Sequence, residues 1–552
     1  MKLTKYTAVV ALGAFVVSCS SIHNIAIPEG KSTTIHIPAK KVFAEEDINT
    51  WSHSDLATDS IPGMSLAKAY EFLQGKKSVP VIVAVTDSGS DITHEDLKSK
   101  IWVNKKEIAG NGKDDDKNGF IDDVHGWNFL GPTYDETLEI TRLYRTLKPK
   151  YEGKTSVDIK KKDTEDYLAF KALEEDYKNN LEEAKKGQEQ YMQYQGMLKD
   201  TDVAMQNLTG KKDYTLEDVK AATSKFDFVN SKKEIAIRIL ESGSTIEEQI
   251  EQLEPAVEYY TSKVNTYYNL EFDGRAALND DAYSMKTKVY GDNNVKDQAD
   301  DEIHGTHVSG IILADRNNNL GVAGVAENAL LMAVRVVPNG DEYDKDVALG
   351  IRYAVDNGAK VINTSFGKGY SPNAEWVYDA IKYAAKKDVL IVNAAGNDAQ
   401  NIDDKPSYPK DVDDAEEISD NFLTVGAATR FYNEKLLADF TNYGKKSVDV
   451  FAPGHDIYNT VPGNKYQKLS GTSMASPATA GVAALIRSYY PELSASQVKH
   501  IIMNSGTLVD LEVLLPGGEG KKVKLSEISR SGRMVNAYNA VKMAAAIVSK
   551  KK

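Results

Sequence analysis

At 552 residues the chain is too long for one ordinary domain, so a large core carrying an extra module or insertion is expected. Its hydrophobic content of 41% and charged content of 27% are those of a soluble globular protein. A formal net charge of −14 argues against nucleic acid as the main partner, and nothing in the sequence sets an oligomeric state.

The N-terminus starts Met1-Lys2-Leu3-Thr4-Lys5, continues as an apolar run from Ala8 to Val17 and reaches Ser18-Cys19. A basic start, a short apolar stretch and small residues describe an export signal over 1–18; the run is too short to span a bilayer. Val16-Val17-Ser18-Cys19 resembles a bacterial lipobox, which predicts lipidation of Cys19 and an exported cell-envelope protein held to a membrane. The competing reading is an ordinary signal peptide with a leftover cysteine. Cys19 is the only cysteine, so no disulfide can form within one chain, and core burial with bound ions must supply the stability. Residues 19–59 are mostly polar and read as a tether.

Val79 to Thr86 is a short β-branched run, expected to be a buried parallel strand. It ends in Asp87-Ser88-Gly89. In open parallel sheets functional residues gather at the carboxyl ends of strands, so Asp87 is either a site residue or the cap of a turn. Asn111-Gly112-Lys113-Asp114-Asp115-Asp116-Lys117-Asn118-Gly119-Phe120-Ile121-Asp122 follows. Asp114, Asp116 and Asn118 alternate ahead of a glycine, and Asp122 lies beyond it. Hard oxygen donors so spaced begin an EF-hand-type Ca2+ loop, although His125 stands where the closing glutamate belongs.

From Pro132 to Asn279 the composition shifts. Glycine becomes scarce, and Lys, Glu, Gln and Tyr dominate. Tyr167, Phe170, Leu173, Tyr177, Leu181 and Ala184 recur at helical spacing. Ser244 and Glu247 read as a capping box ahead of a second stripe, Ile250, Leu253, Val257 and Tyr260. The segment 132–279 is therefore expected to be a helical hairpin or small bundle inserted into another domain, with its tyrosines packing.

Strands and helices then alternate. Leu330 to Val337, Val361 to Thr364, Val389 to Asn393 and Phe422 to Val425 read as strands, and Val347 to Asp356 and Ala374 to Lys386 as helices. This pattern predicts an α/β fold with a doubly wound, mostly parallel sheet and helices on both faces, built from residues 60–131 and 280–547. His304-Gly305-Thr306-His307 opens a small-residue helix. Its two histidines lack the spacing of a metalloprotease pair, and His307 reads as structural. Near the end, Gly471-Thr472-Ser473-Met474-Ala475-Ser476-Pro477 puts a serine at the start of an Ala/Gly-rich helix. There free N–H groups favour a developing negative charge. A serine alcohol needs a neighbouring base, and the base an acid to orient it. Asp87, His304 and Ser473 occur in one of the known chain orders of such a triad.

Together, Val85-Thr86-Asp87-Ser88-Gly89, His304-Gly305-Thr306-His307-Val308-Ser309-Gly310 and Gly471-Thr472-Ser473-Met474-Ala475-Ser476-Pro477 resemble the subtilisin family of serine peptidases. Asn393-Ala394-Ala395-Gly396-Asn397 and Pro462-Gly463-Asn464-Lys465-Tyr466 are similar to two further family segments. The resemblance implies Ser473 as nucleophile, His304 as general base and acid, Asp87 as its orienter and Asn397 as donor to the oxyanion. It also implies that Ser365, Phe366 and Gly367 hold the substrate backbone, with Ala394, Ala395 and Gly396 as the far wall of the specificity pocket. Small walls suggest a large apolar side chain before the cleaved bond, or a basic one if Asp398 lies at the rim. Asn317 to Val322 resembles the family's calcium loop, which would place Asp96, Asn318, Leu320 and Val322 around an ion.

The expected function is hydrolysis of peptide bonds in protein or peptide substrates through an acyl-enzyme. A catalytically silent peptide-binding protein of the same fold is the alternative. Two departures bear on this. Asp87 and His304 are 217 residues apart, far more than is usual in the family. No inhibitory pro-domain is recognisable between Cys19 and Ser60.

Overall fold

The computed structural model describes residues 48–297, 299, 302–413 and 416–550. The leader, Cys19 and the tether up to residue 47 lie outside the described residues. The described end of the expected tether packs on the core instead. Trp51 is buried, and its indole N–H donates to the His455 carbonyl at 3.1 Å. Ile61, Met64 and Leu66 join it in the same apolar cluster. Burial of one large aromatic ring outweighs the polar composition around it.

Nine strands form one sheet: β1 (Val81–Asp87), β2 (Gly126–Asn128), β3 (Ala329–Arg335), β4 (Val361–Thr364), β5 (Leu390–Ala394), β6 (Phe422–Ala428), β7 (Val450–Pro453), β8 (Thr507–Leu508) and β9 (Arg533–Met534). Their spatial order is β8-β9-β7-β6-β5-β4-β1-β3-β2, and only the β8–β9 pair is antiparallel. β1 sits between β3 and β4, with Asp87 opposite Arg335 and Thr86 opposite Thr364.

Side chains alternate across this sheet and feed two cores. Val81, Val83 and Val85 join Leu331, Val361, Val392 and Val425 on one face. That face is covered by α1 (His304–Leu313) and α4 (Thr472–Tyr489). Ala84, Met332, Val334, Ile362 and Ile391 point the other way, under α2 (Asp344–Asp356) and α3 (Ala374–Lys386). Both faces are thus buried, as the near-continuous apolar strands require. The fold is α/β with helices on both faces of a mostly parallel sheet. Strand ends differ from expectation by up to three residues, because ladder pairing rather than hydrophobicity sets where a strand stops.

Residues 136–273 form a second compact unit, where 132–279 was expected. It holds helices Glu139–Tyr151, Thr164–Thr209, Leu216–Ala221, Asp227–Glu241 and Ile246–Ser262. The first apolar stripe belongs to a single helix of 46 residues. Tyr167, Phe170 and Tyr177 are buried, and Tyr144 stacks on the last two. A Cβ on Gly187 would lie 2.2 Å from the Tyr260 ring, so the long helix and Ile246–Ser262 approach closely there. The capping box falls one residue later than the sequence suggested. Thr245 is the cap and Glu248 its partner, since the residue that leaves helical φ/ψ decides the cap.

Candidate active site

Asp87 ends β1 with its side chain buried. Its Oδ1 accepts the Ser88 N–H at 2.8 Å and faces His304 Nδ1 at 2.7 Å. This contact depends on Gly305. A Cβ there would lie 1.8 Å from the Gly89 carbonyl oxygen, so only glycine lets the first turn of α1 meet the end of β1. Further along, Thr306 Oγ1 accepts from Asp91 N at 2.8 Å, and the Ser90 and Ser309 hydroxyls are 2.9 Å apart. These contacts fix the helix start against the loop after β1.

The His304 side chain keeps 38% of its surface exposed. Desolvation disfavours its cation, but the Asp87 charge and hydrogen bond outweigh that, and the pKa is raised above 6.5. His307 is buried one turn on. Its Nε2 faces the Ile457 and Gln467 carbonyls at 3.0 and 3.1 Å, and burial lowers its pKa to about 4. His307 therefore stays neutral and ties α1 to the hairpin Ile457–Val461 and Lys465–Leu469.

Ser473 lies in the first turn of α4, which packs against α1. Its Oγ donates to the Ser365 carbonyl at 3.0 Å. It makes no hydrogen bond to His304 among the described residues. Asn397 is held by its carbonyl side: Oδ1 accepts Thr472 N–H at 2.9 Å and Thr472 Oγ1–H at 3.0 Å. Its Nδ2 is left as a donor beside Gly471, 3.4 Å from where a Cβ on that glycine would sit. Thr472 is fully buried and also accepts the Gly396 N–H at 3.0 Å. One threonine thus ties the start of α4 to the Gly396–Asn397 turn.

Ser365-Phe366-Gly367 leaves β4, and Ala395-Gly396-Asn397 leaves the adjacent β5, where Thr364 pairs with Asn393. Parallel neighbours deliver both segments to the same edge of the sheet. Behind Ala394 and Ala395 lies a cavity of about 230 Å³, whose lining includes Asn393, Ser407, Pro409 and Asp411. Burial pushes the Asp411 carboxyl up to about 7, although the Lys499 ammonium opposes this. Asp398 turns its Oδ2 to Asn442 Nδ2 at 3.2 Å.

A profile of the subtilase family matches residues 79–531. This chain belongs to the subtilase family. Over 197 residues it is 43% identical to the thermophilic serine proteinase of Bacillus sp. (strain AK1), covering 35% of this chain and 45% of that protein. Over 203 residues it is 41% identical to thermitase of Thermoactinomyces vulgaris, covering 37% and 66%. Subtilisin DY of Bacillus licheniformis is 38% identical over 206 residues, covering 37% and 70%. The chain thus spans under half the length of the Bacillus sp. proteinase that it resembles. A solved protease structure from Pseudoalteromonas arctica PAMC 21717 superposes with a TM-score of 0.36 at 29% identity, covering 44% of this chain and 70% of the other.

Two groups of residues in this subtilase were not marked by any sequence signal. The Asn442 side chain is fully buried and embraces the turn that carries Asn397. Its Oδ1 accepts from Asp398 N and Gln400 N at 3.0 and 3.1 Å, and its Nδ2 donates to the Ala395 carbonyl at 3.0 Å. Arg335, also fully buried, donates from Nε to the Ser88 carbonyl at 2.6 Å and pairs with Glu302 at 2.7 Å. That pair braces the segments before His304 and after Asp87. Both groups are ordinary polar residues in sequence, and only the contacts give them meaning.

The expected calcium ligands lie in two loops. Asp96 is buried, with Oδ1 accepting Asn318 Nδ2–H at 2.6 Å and Oδ2 accepting Val322 N–H at 3.0 Å and the Tyr466 hydroxyl at 3.3 Å. Asn318 Oδ1 caps Leu320 N at 2.8 Å. In this structure hydrogen bonds satisfy the Asp96 carboxylate. In the earlier loop, Asp122 accepts Asn111 N–H and Gly112 N–H at 3.1 and 2.8 Å, and Asp114 accepts Asn118 N–H and Gly119 N–H at 3.0 and 2.8 Å. Asn118 accepts Phe120 N–H at 2.7 Å and donates to Asp123 at 3.0 Å. Asp114 and Asp116 stay together, and Glu107 joins them.

Proposed function

We propose that this subtilase is a serine endopeptidase acting through Asp87, His304 and Ser473, with protein or peptide substrates. The observation that carries the reading is the 2.7 Å contact of His304 Nδ1 with buried Asp87 in a chain whose Ser473 opens a neighbouring helix. Asp87 fixes the imidazole tautomer, leaving Nε2 as the base. Release of the Ser473 hydroxyl from the Ser365 carbonyl frees it to donate to that nitrogen. The oxygen then attacks the substrate carbonyl as its proton passes to His304. Asn397 Nδ2 and the Ser473 N–H, unspent in the first turn of α4, face the oxyanion. His304 returns the proton to the leaving amine, and water, activated by the same imidazole, releases the acyl group. Ser365, Phe366 and Gly367 hold the substrate backbone opposite Ala394, Ala395 and Gly396.

Export and a lipid on Cys19 belong to this reading and rest on the leader pattern at 1–19. A structural Ca2+ ion held by the acidic loop after β1 belongs to it as well. A fluorophosphonate probe tests the central claim. Labelling of the full chain that disappears in Ser473→Ala supports it. A folded wild type that neither labels nor cleaves a peptide library overturns it in favour of a silent peptide-binding protein.

A further inference from the structure

We propose that Asn363, in β4, is a positioning residue that sets Ser473 and the segment expected to hold substrate relative to each other. The proposal rests on the peptidase reading above. β4 reads Val361-Ile362-Asn363-Thr364. Val361 lies on the face covered by α1 and α4, and side chains alternate along a strand, so Asn363 points the same way. Its amide is fully buried there among apolar side chains and needs polar partners of its own.

Those partners belong to the site. Asn363 Nδ2 donates to Ser365 Oγ at 2.8 Å, and its Oδ1 accepts the Ser476 hydroxyl at 2.9 Å. Ser476 is fully buried, one turn after Ser473 on α4, and shares its hydrogen with the Val392 carbonyl at 3.0 Å. The Asn363 carbonyl accepts the Thr86 hydroxyl at 2.8 Å, beside Asp87. One residue of β4 thus bonds to the end of β1, to the segment after β4 and to the first turns of α4.

The hydrogens give this chain a direction. A serine hydroxyl carries one hydrogen and rotates freely when nothing orients it. The Asn363 amide donates to the Ser365 oxygen, which leaves the Ser365 hydrogen for the Ser473 carbonyl, reached at 3.0 Å. Asn363 therefore holds the start of α4 at two places, through Ser365 to Ser473 and directly at Ser476. Because Ser365 leads the segment expected to hold the substrate backbone, the same amide sets the offset between a bound peptide and the Ser473 oxygen. Asn363 itself is 0% exposed, so it acts through these neighbours and not on substrate. An error of about 1 Å in such an offset can cost up to about 10²-fold in rate.

Steady-state kinetics of the full chain on a peptide anilide, with urea unfolding to show that each variant is folded, test this. Asn363→Leu keeps the approximate shape of the side chain and removes both of its hydrogen bonds. Its kcat should fall by up to about 10²-fold, with KM little changed and the pH midpoint set by His304 unmoved. Ser476→Ala is the milder variant and keeps the test open if Asn363→Leu does not fold. It should lower kcat by about two- to ten-fold, the worth of one neutral hydrogen bond, and add little in an Asn363→Leu background. Asn421→Leu makes the same change at another buried amide, one that donates to the Val389 and Ile381 carbonyls at 2.8 and 3.3 Å, and should lower stability while leaving kcat unchanged. An equal kcat loss in Asn421→Leu would reduce the effect to general destabilisation and overturn the proposal. So would an unchanged kcat in folded Asn363→Leu or in Ser476→Ala, or a loss carried by KM; each of these leaves the peptidase reading standing. A wild type that neither cleaves the anilide nor takes a fluorophosphonate label would overturn both.

Discussion

The Ser473 hydroxyl donates to the Ser365 carbonyl at 3.0 Å, and the Ser365 hydroxyl donates back to the Ser473 carbonyl at 3.0 Å. This reciprocal pair locks the start of α4 to the strand expected to hold substrate. It also parks the proposed nucleophile on an acceptor that a bound peptide would lie beside, so substrate entry and nucleophile release share one position.

The His304–Asp87 contact sets a pH dependence. A raised histidine pKa means that the neutral base is lost at higher pH than for a free imidazole, so kcat/KM should climb through a pKa above 6.5. Stability runs the other way. The contact's contribution is fully present below about 6.5 and is lost as pH rises through the folded value. Denaturant midpoints of the Ser473→Ala chain should fall across that window, and Asp87→Asn should flatten the fall. An unchanged slope in Asp87→Asn would remove the ion pair as the cause.

Asn397→Ala should lower kcat by about 10²–10³ with little change in KM, a magnitude known from a subtilisin donor of this kind. Steady-state kinetics on a peptide anilide would check this. An equal rise in KM would mean that the amide binds substrate rather than the developing charge.

Asn442→Ala should act through Asn397. Removing its hydrogen bonds frees the turn Ala395–Gln400, and displacement by about 1 Å can cost up to 10²-fold in rate. The loss should fall on kcat, leave the pH profile unmoved, and add little in an Asn397→Ala background. Full additivity of the two variants would contradict this coupling.

Arg335→Met removes one partner of a fully buried pair, and such losses cost about 3–5 kcal/mol. Urea unfolding of the Ser473→Ala chain should show it. Adding Glu302→Leu should recover part of the loss, because an uncompensated buried charge is worse than none.

Much of the candidate site was legible in the sequence. Asp87, His304, Asn397 and Ser473 sit in short motifs whose glycines and small residues are demanded by close approach, as Gly305 against Gly89 makes explicit. The acidic loop after β1 was legible only in part. Alternating carboxylates mark a loop, but only the folded chain brings Glu107, seven residues before Asp114, beside Asp114 and Asp116. Which carboxylates of a loop share a face depends on its turns, which residue spacing alone does not fix.

By itself, the sequence determined the alternation of strands and helices, the helical character of the inserted segment and the chemistry-bearing motifs. Each of these is written in local spacing. Only the tertiary structure decided that Trp51 belongs to the core, that Asn442 embraces the Asn397 turn and that Arg335 braces Glu302 against Ser88. These contacts join residues 33 to 404 positions apart, and no local pattern encodes a partner so distant.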